Sequence, residues 1–283
     1  MNASNLNAPN LAKSGAAALG LDAPRTEAVR AQVSAEEWQI RVDLAACYRL
    51  AAKYGWTDLI YTHISARVPG PEEHFLLNPF GYMFDEVCAS NLVKVDLDGN
   101  LIGDTPHFIH RAGFIIHSAI HAARPDAACV IHAHTRAGLA VSIMKSGLLP
   151  LTQHAMLFHG KVAYHESEGF AQQTEERARL AADLSDKPVM ILRNHGTLVA
   201  GRSVPEAFSM MWHLEMAMQA QVDALAVTND PNLPGEGVAE AIVKRAFTGR
   251  PLSEYKPGDS PLGRLEWPAL LRMLDRNDSS YRL

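Results

Sequence analysis

The run Cys129-Val130-Ile131-His132-Ala133-His134-Thr135 carries the sharpest chemical signal in the chain. On a strand, side chains two residues apart share a face. His132 and His134 would therefore project in parallel, about 7 Å apart along the strand. Two imidazoles so placed can clasp one divalent ion, and a third ligand must come from elsewhere. Asn194-His195-Gly196 suits that role. It follows the apolar run from Val189, strand ends are where such sites collect, and Gly196 allows a close backbone approach. Taken singly, either motif has a plainer reading. Two histidines can line a polar cleft, and Arg193-Asn194-His195-Gly196 can be only a turn.

Nine of the thirteen histidines lie between His107 and His165, which marks that stretch for chemistry. His110, His117 and His121 fall on one expected helix. Tyr164, His165, His154 and His159 form a second cluster, read mainly as polar structural residues. His213 and Glu215 sit on a long helix, where packing or interface roles fit better than ligation.

These residues need elements to position them. Ser34-Ala35-Glu36-Glu37 has the pattern of a capping box. It opens a helix in which Trp38, Val42, Ala45, Ala46 and Leu50 recur at helical spacing, and Gly55 ends it. Short strands are expected at 63–67, 75–77 and 93–96. Asp98-Gly99 is a hairpin signal. Residues 107–123 read as one helix between Pro106 and Pro125. Residues 128–134, 162–165, 188–193 and 197–200 read as strands, and 174–184 as a helix. Ser203-Val204-Pro205-Glu206 opens a helix that can run to about Val227, with proline and an acid in its first turn. A further helix is expected around Trp267 to Leu274. The pattern is a layered α/β domain, not a regular βαβ series. Residues 1–33 read as a mobile arm, 34–228 as the main domain and 229–283 as a C-terminal extension.

Composition bounds the rest. The chain of 283 residues is 47% hydrophobic and 20% charged, enough for a large core. A net charge of −5 and no long basic run speak against nucleic acid as a partner. The beginning of the sequence lacks the pattern of a secretory signal, and no stretch nears the roughly 20 apolar residues of a membrane helix. No membrane partner is expected. Cys47, Cys88 and Cys129 are odd in number and lack a CxxC pair. That argues against a disulfide framework and for reduced thiols in the cytoplasm.

Several blocks, in order, resemble the class II aldolase/adducin family. They are Thr62-His63-Ile64-Ser65-Ala66-Arg67, Val93-Lys94-Val95-Asp96-Leu97-Asp98-Gly99, and Ala123-Arg124-Pro125-Asp126 leading into the His132/His134 motif. Ala140-Val141-Ser142, Gly147-Leu148-Leu149-Pro150, Val162-Ala163-Tyr164-His165 and Leu192-Arg193-Asn194-His195-Gly196 complete the set. The likeness spans about residues 35 to 225, and several blocks lie closer to the adducin-like branch. It implies a three-layer α/β/α fold with a central mixed, largely antiparallel sheet. It also implies a divalent ion per subunit on His132, His134 and His195, with Zn2+ the first expectation and Fe2+ or Mn2+ the alternatives. Three imidazoles leave coordination positions open, as in catalytic sites. A homotetramer acting on a small-molecule substrate is implied too.

The same resemblance exposes a gap. Aldolases of the family carry a Glu acid/base four residues before a helical histidine. His117 matches that histidine, and the Glu position is Gly113. Neighbouring serines are replaced by Arg111 and Ala112, and the Asn of a Gly-Asn-x-Ser block is His63. His110, one turn before Gly113 on the expected helix, is the candidate to act instead, with Tyr164 as a second catalytic candidate. His63, Ser65, Asn78, Gly81 and Arg111 are the candidate substrate contacts. Phe80, Tyr82, Phe84 and Phe158 would tolerate an aromatic substrate, although core packing suits most of them. The first expectation is a lyase that cleaves a C–C bond of a small hydroxy or oxo acid or ketone, by retro-aldol reaction or decarboxylation, through a metal-stabilised enolate. The alternatives are a mononuclear non-haem Fe(II) oxygenase acting on aromatic 2-oxo or 2-hydroxy acids, and a non-catalytic adducin-like interaction module.

Overall fold

The computed structural model describes residues 23–169, 175–247 and 262–283. Its strands are β1 (His63–Arg67), β2 (Phe75–Leu77), β3 (Val93–Val95), β4 (Cys129–Ala133), β5 (Val162–His165), β6 (Val189–Leu192) and β7 (Gly196–Gly201). They form one seven-stranded sheet in the order β3-β2-β1-β4-β7-β6-β5. Every neighbouring pair is antiparallel except β5 with β6, which is parallel. The helices are α1 (Ala23–Gln32), α2 (Ala35–Lys53), α3 (Arg111–Ala123), α4 (Arg136–Ser142), α5 (Gln153–Met156), α6 (Glu176–Leu184), α7 (Val204–Val227), α8 (Val238–Phe247) and α9 (Glu266–Asn277).

Strand alternation sorts the core into two halves, one on each face of the sheet. Cys129, Ile131 and Ala133 of β4 pack with Val189, Ile191 and Val199 under α2 and α7. Val130 packs with Met190, Leu192, Leu198 and Ala200 under α3 and α6. The result is the expected three-layer α/β/α sandwich.

Ser34 caps α2, its Oγ accepting the Glu37 N–H at 3.1 Å. Only half of the expected capping box forms. The Glu37 carboxylate turns instead to Arg41 at 3.0 Å and Lys94 at 2.9 Å. Helix α1 occupies part of the segment read as a mobile arm. Its Thr26 is buried, and the Arg30 guanidinium lies 5.6 Å from the Trp38 ring centroid. Docking onto the domain holds α1, not an apolar stripe of its own, so no periodicity announced it. Residues 1–22 of that arm lie outside the described residues, as do Thr174 and residues 248–261. The C-terminal extension returns to the domain. Trp267 Nε1 donates to Asp43 Oδ1 at 2.9 Å, and the N–H groups of Ala89 and Ser90 bond the carbonyls of Tyr281 and Leu283 at 3.0 and 2.8 Å.

The helix expected over 107–123 begins only at Arg111. Before it, the chain is tied to the turn at residues 79–82. The Phe80 N–H donates to the Phe108 carbonyl at 2.9 Å, and His107 meets the Tyr82 ring edge-on at 5.2 Å. His110 is the N-cap residue, with extended backbone and no capping hydrogen bond from its side chain. The long helix matches expectation. Ser203 caps it, accepting the Glu206 N–H at 3.2 Å, and Pro205 sits in its first turn.

Candidate metal centre

Strand register assembles the histidines. His132 pairs with Leu198 and Ala133 with Thr197 across β4 and β7. The tight β6–β7 turn therefore falls beside His134 and carries His195 there. That turn needs two unusual backbones. Asn194 has φ +59° and Gly196 has φ +148°. A Cβ at Gly196 would stand 2.5 Å from the Ala133 carbonyl oxygen, so no other residue fits without moving β4.

His132, His134 and His195 bring their ligand nitrogens within 4.8 Å of one another. Their other nitrogens orient the rings. His132 Nδ1 donates to the Thr197 carbonyl at 2.9 Å, and His134 Nδ1 donates to Asp58 Oδ2 at 3.0 Å. Both Nε2 atoms are then bare lone pairs, 3.0 Å apart. Two lone pairs so close repel unless a cation lies between them. Burial, with the neighbouring imidazoles, pushes His132 well below its ordinary range and His195 down to about 4. Neutral imidazoles are the form that ligates a metal. The donor set fits a borderline ion such as zinc or ferrous iron better than the oxygen-seeking calcium or magnesium.

The three rings open into a cavity of about 550 Å³ that Asp58, Tyr61, His63, His110 and Gly113 also line. Asp58 carries a role the sequence reading missed. It is a lone acid in a loop, and its signal is the strained backbone nearby, with Leu59 at φ +50° and Thr62 at φ +68°.

The other candidates divide. His63 and His110 line the cavity with the trio. Their rings stack, centroids 5.3 Å apart and 7° from parallel, and His110 stacks on Phe80 at 4.6 Å. His110 is thus placed as expected in the cavity, but from an extended N-cap and not from a helical turn. Ser65 is not at the surface of the cavity. It is fully buried between β1 and α3, where its Oγ lies 2.6 Å from His117 Nδ1 and 2.7 Å from His121 Nε2. His121 Nδ1 donates to the Ala127 carbonyl at 3.1 Å, so Ser65 donates to His121 and accepts from His117. Burial pushes both histidines down to about 3. His117 and His121 thus tie α3 to β1 and to the Ala127 carbonyl.

Asn78, Gly81 and Arg111 do not line the cavity. Asn78 is buried beside the Tyr48 hydroxyl, 2.9 Å from its Oδ1. Gly81 sits in an exposed turn at φ +96°, and Arg111 is exposed at the first turn of α3. Tyr164 is also elsewhere in this chain, because its position in β5 turns it to the opposite face of the sheet. Its hydroxyl accepts the Leu148 N–H at 3.1 Å, and the Arg193 guanidinium covers its ring at 4.3 Å. The cluster expected around it splits. His154 meets His213, Nδ1 to Nδ1, at 2.8 Å; His159 meets Glu240 at 3.1 Å; His165 meets Asp183 at 2.7 Å. Glu215 accepts the Thr135 hydroxyl at 2.6 Å, joining α7 to the N-cap of α4, which is a packing role as expected. Phe84 and Phe158 are core residues. Cys47, Cys88 and Cys129 are buried and form no disulfide among the described residues. No helix among the described residues is long and apolar enough to cross a membrane.

Comparison with known proteins agrees with this fold. The sequence profile of the class II aldolase and adducin N-terminal domain matches residues 42–222. A crystal structure of an aldolase II superfamily protein from Pseudomonas syringae is 51% identical, covers 90% of this chain and 99% of its own, and superposes with a TM-score of 0.82. L-fuculose 1-phosphate aldolase from Glaciozyma antarctica is 27% identical with a TM-score of 0.73, covering 93% of this chain and 98% of its own. Alpha-adducin of Rattus norvegicus is 46% identical over 242 residues, which are 83% of this chain but 33% of that protein.

Proposed function

The chain belongs to the class II aldolase and adducin family, and on that premise we propose that it is a metal-dependent lyase. The reaction is cleavage of a C–C bond, by retro-aldol reaction or decarboxylation, in a small hydroxy or oxo acid or ketone. The observation that carries this reading is the convergence of three imidazoles in the lining of one cavity, their ligand nitrogens within 4.8 Å of one another and two of them, Nε2 to Nε2, 3.0 Å apart.

His132, His134 and His195 would hold the ion, with Zn2+ the first choice and Fe2+ or Mn2+ the alternatives. A divalent ion there supplies Lewis acidity to substrate oxygens and stabilises the charge that develops as the bond breaks. The chain does the rest. Asp58 and the Thr197 carbonyl fix the ring orientations of His134 and His132. Tyr61, His63 and His110 form the cavity wall beside the trio and would orient the substrate. The likeness to a fuculose phosphate aldolase supports lyase chemistry. A homotetramer and a cytoplasmic location belong to the same reading, the latter supported by cysteines that form no disulfide among the described residues.

The test is metal content by elemental analysis of protein purified without added metal, beside His132→Ala. Stoichiometric zinc lost in the variant, with turnover in retro-aldol or decarboxylation screens, supports the lyase. Iron, with oxygen uptake on aromatic 2-oxo or 2-hydroxy acids, replaces it with an oxygenase. A second reading, a non-catalytic interaction module, is favoured by the likeness to alpha-adducin together with the absence of a side chain at Gly113. Failure to bind any divalent ion would leave that reading alone.

A further inference from the structure

Gly113 has no side chain, yet the space beside it is filled. A Cβ built there would lie 2.2 Å from His63 Nδ1 and 2.3 Å from His63 Cε1. The imidazole of β1 stands in the notch that α3 leaves. Positions 63 and 113 therefore form one packing unit. A carboxylate at 113 and an imidazole at 63 exclude each other, and this chain has the imidazole.

The His63 ring is also polar and unspent. It is 5% exposed, and neither ring nitrogen has a hydrogen-bond partner among the described residues. A buried imidazole without a partner is costly. The ring is held by stacking on His110, whose Nδ1 is likewise unpartnered, so its nitrogens are positioned in advance. Both residues line the cavity that the metal trio opens into. The one carboxylate there among the described residues, Asp58, is engaged with His134. The wall beside the trio thus offers hydrogen-bond donors where an acid at 113 would have offered a negative charge. That chemistry suits a substrate that is itself an anion.

We propose that His63, seated in the notch of Gly113, donates a hydrogen bond to a carboxylate oxygen of the substrate, so that the site takes an oxyacid and not a neutral ketone. The inference rests on the lyase reading and sharpens its substrate class. The contact is a hydrogen bond from a neutral ring, with no change in protonation.

The test uses the full chain loaded with Co2+, whose visible spectrum reports ligands entering the site. The probe is oxalate, a planar bidentate oxyacid, with neutral hydroxyacetone beside it. The native protein should bind oxalate saturably and in preference to hydroxyacetone. His63→Phe keeps the ring and the stack but removes both nitrogens, and should weaken oxalate about tenfold at unchanged cobalt content. Gly113→Ala places a methyl group against the His63 ring, leaves every ligand in place, and should weaken oxalate by a similar factor. If both variants bind oxalate as the native protein does, or if native protein prefers hydroxyacetone, the inference is overturned while the lyase reading stands. If cobalt-loaded native protein takes neither probe, both fall.

Discussion

His132 Nε2 and His134 Nε2 face each other at 3.0 Å, because Nδ1 of each ring is turned to an oxygen acceptor, the Thr197 carbonyl and the Asp58 carboxylate. The Thr197 carbonyl can only accept, so His132 Nδ1 is the donor in that bond. Two unprotonated nitrogens at that distance repel unless a cation lies between them, and both rings are oriented before an ion arrives.

That relationship makes Asp58 a positioning residue. Asp58→Asn should lower metal affinity about 10- to 100-fold while leaving the fold intact. Competition with a chromophoric chelator measures the change. Unchanged affinity would mean that His134 is oriented by something else. Removing the ion with a chelator should lower the Tm of the native protein, and have little effect on His132→Ala.

Acid should unfold the protein through Ser65, His117 and His121. Both histidines titrate near 3 when folded, against an ordinary value of 6.5, because burial disfavours their charged forms. The unfolded state thus binds more protons below pH 6.5. Stability is fully present above that pH and falls as pH drops from 6.5 towards 3, by about 1.4 kcal/mol per pH unit for each histidine. Urea melts at pH 7.5, 6 and 5 would show it, and a flat profile would sink it. Ser65→Ala should cost about 1–3 kcal/mol at neutral pH, since it strands a nitrogen on each ring.

Tyr164 separates stability from binding. Its hydroxyl meets the Leu148 N–H on the face of the sheet away from the cavity. Tyr164→Phe should therefore cost about 1–3 kcal/mol in denaturant melts and leave metal affinity unchanged. A tenfold loss of metal affinity would restore Tyr164 to the site.

Glu37 holds two cations, one buried and one half-buried. Arg41 and Glu37 have side chains 5% and 6% exposed and lie 3.0 Å apart, and Lys94 reaches the same carboxylate at 2.9 Å. Glu37→Leu should be destabilising by about 3–5 kcal/mol, because Arg41 remains buried without its counter-charge. Adding Arg41→Met should recover much of that loss, and a double-mutant cycle measures the coupling. Additive losses would show that the two residues act independently.

The sequence alone determined whatever depends on near neighbours in the chain. His132 and His134 could be paired on paper because strand period is local. The Ser34 and Ser203 caps, the long α7 and the three-layer fold were legible from periodicity, turn residues and family resemblance. Tertiary structure decided what depends on register and on packing between layers. His63 pairs with His132 across β1 and β4, and β7 is registered so that His195 arrives beside His134. Nothing near Asp58 in sequence points to a histidine 76 residues away. Ser65 was expected at the substrate but is fully buried and does not line the cavity, because α3 places His117 and His121 over β1. His110 was expected one helical turn from Gly113, but hydrogen bonding to the turn at Phe80 held that segment extended. The missing side chain at Gly113 was visible in the sequence, whereas the ring that fills its place was not. Filling a volume is a property of two elements meeting, and spacing along one chain carries no record of it.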